Sequence, residues 1–175
     1  MWGIIGAWKM VYDGIMKGSK MLDLGGHVFD AIESCVRQVE DCDDYTSVGY
    51  GGLPNSKGIV ELDAAFMDGE TLSIGAVAAI RDFANPCSIA RKLMSEGLNN
   101  FLVGPGAEKY ALEHGFPRKN MLTHQSKERW LEHKEKVESG ELRPYIGHDT
   151  VCAIGLDQTG HMATCTSTSG LFYKR

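Results

Sequence analysis

The chain has 175 residues, 43% of them hydrophobic, which is enough for one domain with a sizeable core. Its formal net charge of −5 does not suggest the clustered Lys and Arg surface that phosphate binding needs, so no nucleic-acid partner is expected. No apolar stretch approaches the length that spans a bilayer, so no membrane partner is expected either.

The opening Trp2-Gly3-Ile4-Ile5-Gly6-Ala7 reads as a buried strand, and it lacks the basic start and long apolar core of a secretory leader. A helical stretch follows and stops at Gly25-Gly26. Val28, Phe29, Ile32, Cys35, Val36 and Val39 then recur at helical spacing, with Asp30, Glu33, Arg37 and Glu40 on the other face. That spacing predicts an amphipathic helix. Ser47-Val48-Gly49-Tyr50-Gly51-Gly52 and Pro54-Asn55-Ser56-Lys57-Gly58 make two turns, and residues 59–78 read as two strands around Asp68-Gly69-Glu70. Asn85 and Pro86 form an N-cap and first-turn pair for a helix carrying Ile89, Leu93 and Met94, closed by Gly97. Phe101-Leu102-Val103 is a short strand, and residues 107–114 are a short helix ended by Gly115. Residues 118–147 are polar, with a mixed-sign run from Lys127 to Glu138 and one helix around Trp130; they read as an exposed connection. Last, Val151-Cys152-Ala153-Ile154-Gly155-Leu156 and His161-Met162-Ala163-Thr164-Cys165-Thr166 flank the turn signal Asp157-Gln158-Thr159-Gly160, which predicts a hairpin of buried strands. Helices early and strands late imply a layered α/β fold with helices packed on sheets.

The cysteines Cys35, Cys42, Cys87, Cys152 and Cys165 are odd in number and form no CxxC pair, so neither a zinc site nor a disulfide framework is indicated. Cys35 and Cys152 read as small core residues, and a reduced, cytoplasmic setting is expected. His27, His114, His124, His133, His148 and His161 show no ligand spacing, so solvated or capping roles are expected; only His148, beside Asp149, invites a test. Gly104-Pro105-Gly106 lacks the third glycine of a dinucleotide fingerprint, and no cofactor is expected.

The chemistry centres on Thr150. A threonine hydroxyl is a poor nucleophile until a base removes its proton, and no Gly-x-Ser-x-Gly elbow offers another route. The threonine's own α-amino group, with a pKa of about 7.7–8, can serve as that base if Thr150 becomes a chain terminus. The Asp149–Thr150 bond must then break first. The Thr150 hydroxyl can attack the Asp149 carbonyl carbon, shifting the acyl group from nitrogen to oxygen, and water hydrolyses the ester. Taken alone, His148-Asp149-Thr150 reads more readily as a turn-capping pair at a loop-to-strand junction.

The surrounding sequence changes that balance. Gly147-His148-Asp149-Thr150, the hairpin after it and Thr166-Ser167-Thr168-Ser169-Gly170 resemble the cleavage site and following strands of the glycosylasparaginases, within the plant-type asparaginase and isoaspartyl peptidase family. Gly25-Gly26, the turn from Ser47 to Gly52, Leu62-Asp63-Ala64, Met67-Asp68-Gly69, Gly75-Ala76-Val77, Asn85-Pro86 with Ala90-Arg91, Leu102-Val103-Gly104 and Gly115-Phe116 recur there in the same order. The resemblance implies an αββα sandwich of the N-terminal nucleophile hydrolases, incomplete here. Residues 1–175 would be a single domain, with 1–149 the first subunit and 150–175 the start of the second.

By the same resemblance, Thr150 is the nucleophile and Asp149 the residue whose carbonyl is attacked. Thr168 assists with its hydroxyl, Ser47 contacts the nucleophile, and Trp8 lines the substrate pocket. Each has a plainer alternative: Trp8 as core, Ser47 as a turn residue, Thr168 as a strand hydroxyl bonded to backbone. Ser169 stands where glycine or asparagine is more usual, and Leu171-Phe172-Tyr173-Lys174-Arg175 reads as a strand cut short, before the arginine, aspartate and threonine–glycine pair that complete the family's site. The implied substrate is an asparagine-linked amide, foremost N4-(β-N-acetylglucosaminyl)-L-asparagine, with L-asparagine or isoaspartyl dipeptides as the alternative. The implied assembly is a homodimer of cleaved heterodimers. The rival expectation is a catalytically inactive fragment without the substrate-binding half.

Overall fold

The computed structural model describes residues 1–142 and 149–175. In chain order the elements are β1 (Gly3–Ala7), a 3-10 turn (Lys9–Val11), α1 (Tyr12–Asp23), α2 (Val28–Glu40), β2 (Leu62–Asp68) and β3 (Ile74–Ile80). They continue with α3 (Pro86–Glu96), β4 (Phe101–Val103), α4 (Pro105–Glu113), α5 (His124–Glu138), β5 (Val151–Leu156) and β6 (Met162–Thr168). The strands form one six-stranded sheet in the order β1-β5-β6-β2-β3-β4, antiparallel except for the parallel β3–β4 pair at one edge. Among the described residues, no helix is long and apolar enough to cross a membrane.

Local sequence explains the helices. α2 buries Val28, Ala31, Ile32, Cys35, Val36 and Val39, one stripe at helical spacing, and His27 Nδ1 caps it by accepting from Phe29 N–H. α1 closes on Gly25 at φ 81°, where Gly26 N–H reaches Met21 O and Gly25 N–H reaches Leu22 O. This double bond pattern satisfies the last carbonyls and needs a left-handed residue, which glycine adopts without a Cβ clash. Gly97, also left-handed, ends α3, and Thr123 caps α5 by accepting from Ser126 N–H.

One face of the sheet is the core. Leu62, Ala64, Phe66, Val77, Val151, Ala153 and Cys165 are buried there beneath α2 and α3, while α1 covers β1. Among the described residues, nothing covers the opposite face. The register sets Ile5 against Ile154, Ile154 against Thr164, Thr164 against Met67 and Met67 against Ile74, a row that crosses the sheet. Ile5 is 73% exposed, Ile154 44%, and Phe101, one row away, 56%. The fold is thus a mixed α/β sheet flanked by helices, with an apolar face open to solvent.

Several expectations need correction. The first strand is not buried: β1 is an edge strand whose alternate side chains lie on the bare face. Cys152 is half-buried on that same face, whereas Cys35 is fully buried as expected. Asn85 does not cap α3 with its side chain; it donates instead to Glu40 and Asp41. Glu40 is not on a solvated face but wholly buried. α5 is more than an exposed connection, since Ser126 donates to Gly51 O and the His133 ring packs on Phe172 and Tyr173. Residues 171–175 form no strand; the chain turns there, and Tyr173 N–H bonds Pro54 O while Lys174 O accepts from Ser56 N–H.

Candidate active site

At one end of the sheet the end of β1, the start of β5 and the end of β6 lie side by side. Ala7 pairs with Cys152, so Trp8 leaves β1 next to the first residues of β5. Val151 pairs with Ser167, and continuing that antiparallel register by one residue sets Thr150 opposite Thr168. Thr168 also pairs with Asp63 on its other side. Thr150 itself precedes the strand, so this places the two threonines near each other at the open end of the hairpin by extension of the ladder.

The glycine turn reaches this end from the other direction. Ser47 O accepts from Ser169 N–H at 2.8 Å, which ties the turn to the residue after Thr168. Its path requires glycine: Gly49 sits at φ 61°, and a Cβ there would fall 2.2 Å from Glu40 O. Glu40 O in turn accepts from Tyr50 N–H at 2.7 Å.

Trp8, Ser47 and Asp149 line one cleft of about 410 Å³, together with Thr46, Arg129, Gly170 and others. Thr150, next to Asp149, and Thr168, two residues before Gly170, do not line it; both are half-buried. Trp8 is 60% exposed and holds φ 69° and ψ 154°, a conformation that costs a non-glycine residue about 1–3 kcal/mol. It lines the cleft and is exposed rather than core. The Thr168 hydroxyl accepts from Gly170 N–H at 3.1 Å, a backbone bond that does not use the hydroxyl's own proton. Ser47 belongs to the turn and lines the cleft. Gly147 and His148 lie outside the described residues.

Two residues near the site carry no local signal in the sequence. Arg129, inside the mixed-charge run, bonds Thr46 Oγ1 at 3.2 Å and brings a cation to the cleft wall. Glu40 lies behind the sheet, accepting from Cys87 N–H at 3.1 Å and from Cys87 Sγ at 3.0 Å. It therefore caps α3 from another helix. Burial pushes its carboxyl up to about 7, against the pull of the Cys87 and Asn85 hydrogen bonds.

His27 and His161, far apart in sequence, also meet: with Asp157 they offer ligand atoms that all lie within 4.8 Å of one another. Sequence spacing could not show this, because the fold alone brings the two histidines together.

The chain is matched from residue 7 to residue 175 by the family described as Asparaginase. It is 38% identical over 174 residues to the N(4)-(Beta-N-acetylglucosaminyl)-L-asparaginase of Elizabethkingia miricola, covering 98% of this chain and 50% of that protein. It is 39% identical over 175 residues to the isoaspartyl peptidase/L-asparaginase of Rattus norvegicus, covering 95% and 52%. Against the plant-type L-asparaginase of Pyrococcus horikoshii it is 38% identical over 176 residues, covering 94% and 57%. The chain thus spans about half the length of the curated relatives it matches.

Proposed function

The chain belongs to the Asparaginase family, and on that premise we propose that it is the nucleophile-bearing part of an amidohydrolase acting on the side-chain amide of asparagine. N4-(β-N-acetylglucosaminyl)-L-asparagine is the foremost substrate. The observation that supports this most is the register at the mouth of the β5–β6 hairpin, which sets Thr150 against Thr168 beside the cleft of Trp8, Ser47 and Asp149.

Activation comes first. Thr150 Oγ attacks the Asp149 carbonyl carbon, the acyl group moves from nitrogen to oxygen, and water hydrolyses the ester to leave Asp149 as a carboxylate terminus. The freed α-amine of Thr150 then takes the hydroxyl proton as Oγ attacks the substrate's side-chain carbonyl. The same proton passes to the departing nitrogen, and water attacks the acyl-enzyme to release aspartate. The Thr168 hydroxyl donates to the developing oxyanion, a role that requires it to turn its proton toward the cleft. Trp8 forms an apolar wall, its Cα–Cβ bond aimed by a backbone conformation rare for a non-glycine residue.

The whole site belongs to a domain of family length. In this reading residues 1–149 form the first subunit, residues 150–175 open the second, and the bare face of the sheet takes a second sheet from the remainder. The complete protein is then a homodimer of cleaved heterodimers. A second reading, hydrolysis of L-asparagine or isoaspartyl dipeptides, draws on the rat and archaeal relatives, which are as similar in identity.

Aspartate release from N4-(β-N-acetylglucosaminyl)-L-asparagine, L-asparagine and a β-aspartyl dipeptide tests these readings in the protein that carries this sequence at family length. Release should be fastest from the glycosylated substrate and vanish in Thr150→Ala. Preference for either other substrate would favour the second reading. Release that survives Thr150→Ala would overturn both.

A further inference from the structure

At the end of the sheet opposite the cleft, two turns converge on the start of α2. The β5–β6 turn presents Asp157 and His161, the β2–β3 turn presents Asp68 and Glu70, and His27 precedes the helix. β5 is 6 residues long, so at about 3.3 Å per residue this corner lies roughly 20 Å from Thr150.

The two nitrogens of His161 have different surroundings. Nε2 lies 2.7 Å from Asp68 Oδ1, which fixes the proton on Nε2 and leaves the Nδ1 lone pair unprotonated in the neutral ring. Nδ1 faces Glu70 Oε2 at 3.4 Å. That distance is long for a hydrogen bond. It matches the roughly 3.4 Å edge of a tetrahedron whose ligands each sit ~2.1 Å from a central ion.

Asp157 is rigidly presented. Its Oδ1 accepts from Thr159 N–H, Thr159 Oγ1 and His161 N–H, while Oδ2 accepts from Val28 N–H at 3.2 Å and has a second lone pair to offer. The His27 ring is exposed and stands edge-on to His161, with centroids 5.0 Å apart. Turning it gives up the single cap bond from Phe29 N–H, and the ligand atoms of His27, Asp157 and His161 already lie within 4.8 Å of one another. A hollow of about 410 Å³ bordered by Gly69, Glu70, Gly160 and His161 gives the corner an entry path.

We propose that His161 Nδ1, His27, Asp157 and Glu70 form a site for a divalent transition ion of the Zn²⁺ class, with Asp68 as the residue that orients His161. Two imidazoles among oxygen ligands select such an ion over Mg²⁺ or Ca²⁺, which take oxygen ligands. The ion would staple the start of α2 to both turns, a structural role remote from the amide chemistry and independent of it.

Co²⁺ titrated into the metal-free full chain is the probe, followed by displacement with Zn²⁺. One equivalent should bind, giving visible d–d bands and no near-ultraviolet thiolate band, which separates this site from the chain's five free cysteines. His161→Ala should abolish saturable binding, and Asp68→Asn should weaken it about 10–100-fold, as loss of an orienting partner does. His27→Ala removes an exposed ring and its one cap bond from Phe29 N–H, and keeps the test decisive if His161→Ala fails to fold; it should weaken binding at least about 10-fold. Absence of stoichiometric binding, a thiolate band, or an affinity unchanged in His27→Ala would overturn the proposal.

Discussion

Glu40 holds two parts of the candidate site with one residue. Its carbonyl fixes the glycine turn that carries Ser47, and its side chain caps α3 through Cys87 N–H. A glutamate free in solution titrates near 4.5, whereas burial raises this one to about 7. Between those values the folded chain binds more protons than the unfolded chain, so the group's contribution is complete below about 4.5 and is lost as pH rises through about 7. At about 1.4 kcal/mol per unit, the loss is on the order of 3 kcal/mol. Glu40→Gln keeps an oxygen acceptor for Cys87 N–H and removes the charge. Urea denaturation from about pH 5 to about pH 8 should show stability falling in the parent chain and a flatter curve in Glu40→Gln. An equal slope in both would show that the buried carboxyl does not titrate in this window. None of this is legible in the local sequence, where Glu40 stands with Asp30, Glu33 and Arg37 on the polar side of an amphipathic pattern. Its burial depends on a helix that begins far along the chain.

The elements themselves were legible wherever one local rule determined them. The apolar spacing from Val28 to Val39 places α2, the double glycine ends α1, and the turn signal after Leu156 makes the hairpin that aligns Thr150 with Thr168. What the pattern could not show is the order of strands, and with it which faces stay open. β1 and β4 fall at the edges, so Ile5 and Phe101 are exposed although both segments read as apolar. The docking of α5 was hidden for the same reason: Ser126 and Gly51 meet only in three dimensions. Close approach of elements supplies a graded test. A Cβ at Gly75 would lie 2.1 Å from Ala90 O and 2.4 Å from Met94 N, the backbone of α3. At Gly155 it would meet side-chain ends, Val28 Cγ2 at 2.7 Å and Ile32 Cγ2 at 2.9 Å. Gly75→Ala must push a helix off the sheet and should cost about 3 kcal/mol, the upper part of the overpacking range; Gly155→Ala should cost nearer to 1 kcal/mol. Denaturant melts of the two variants check the order, and a larger loss at Gly155 would contradict the packing described for α3.

Across the whole molecule, one feature joins the fold to the proposed chemistry: the sheet has a helix-covered core face and a bare apolar face, with the threonine pair at one end. A face of this kind calls for a covering layer, and relatives about twice as long as this chain leave room for one. The oxyanion and substrate groups that the family resemblance implies would then come from that layer. The proposed nucleophile Thr150, Thr168, the proposed scissile bond and Trp8 all lie within this chain. Self-cleavage in the protein that carries this sequence at family length therefore tests the central claim without any added substrate. The measurement is the intact mass of that freshly purified family-length protein before and after incubation near neutral pH, with Thr150→Ala alongside. Two fragments that meet between Asp149 and Thr150, absent from the variant, are the predicted result. A single uncut mass, or the same cut in Thr150→Ala, would contradict the account of Thr150 as a self-processing nucleophile.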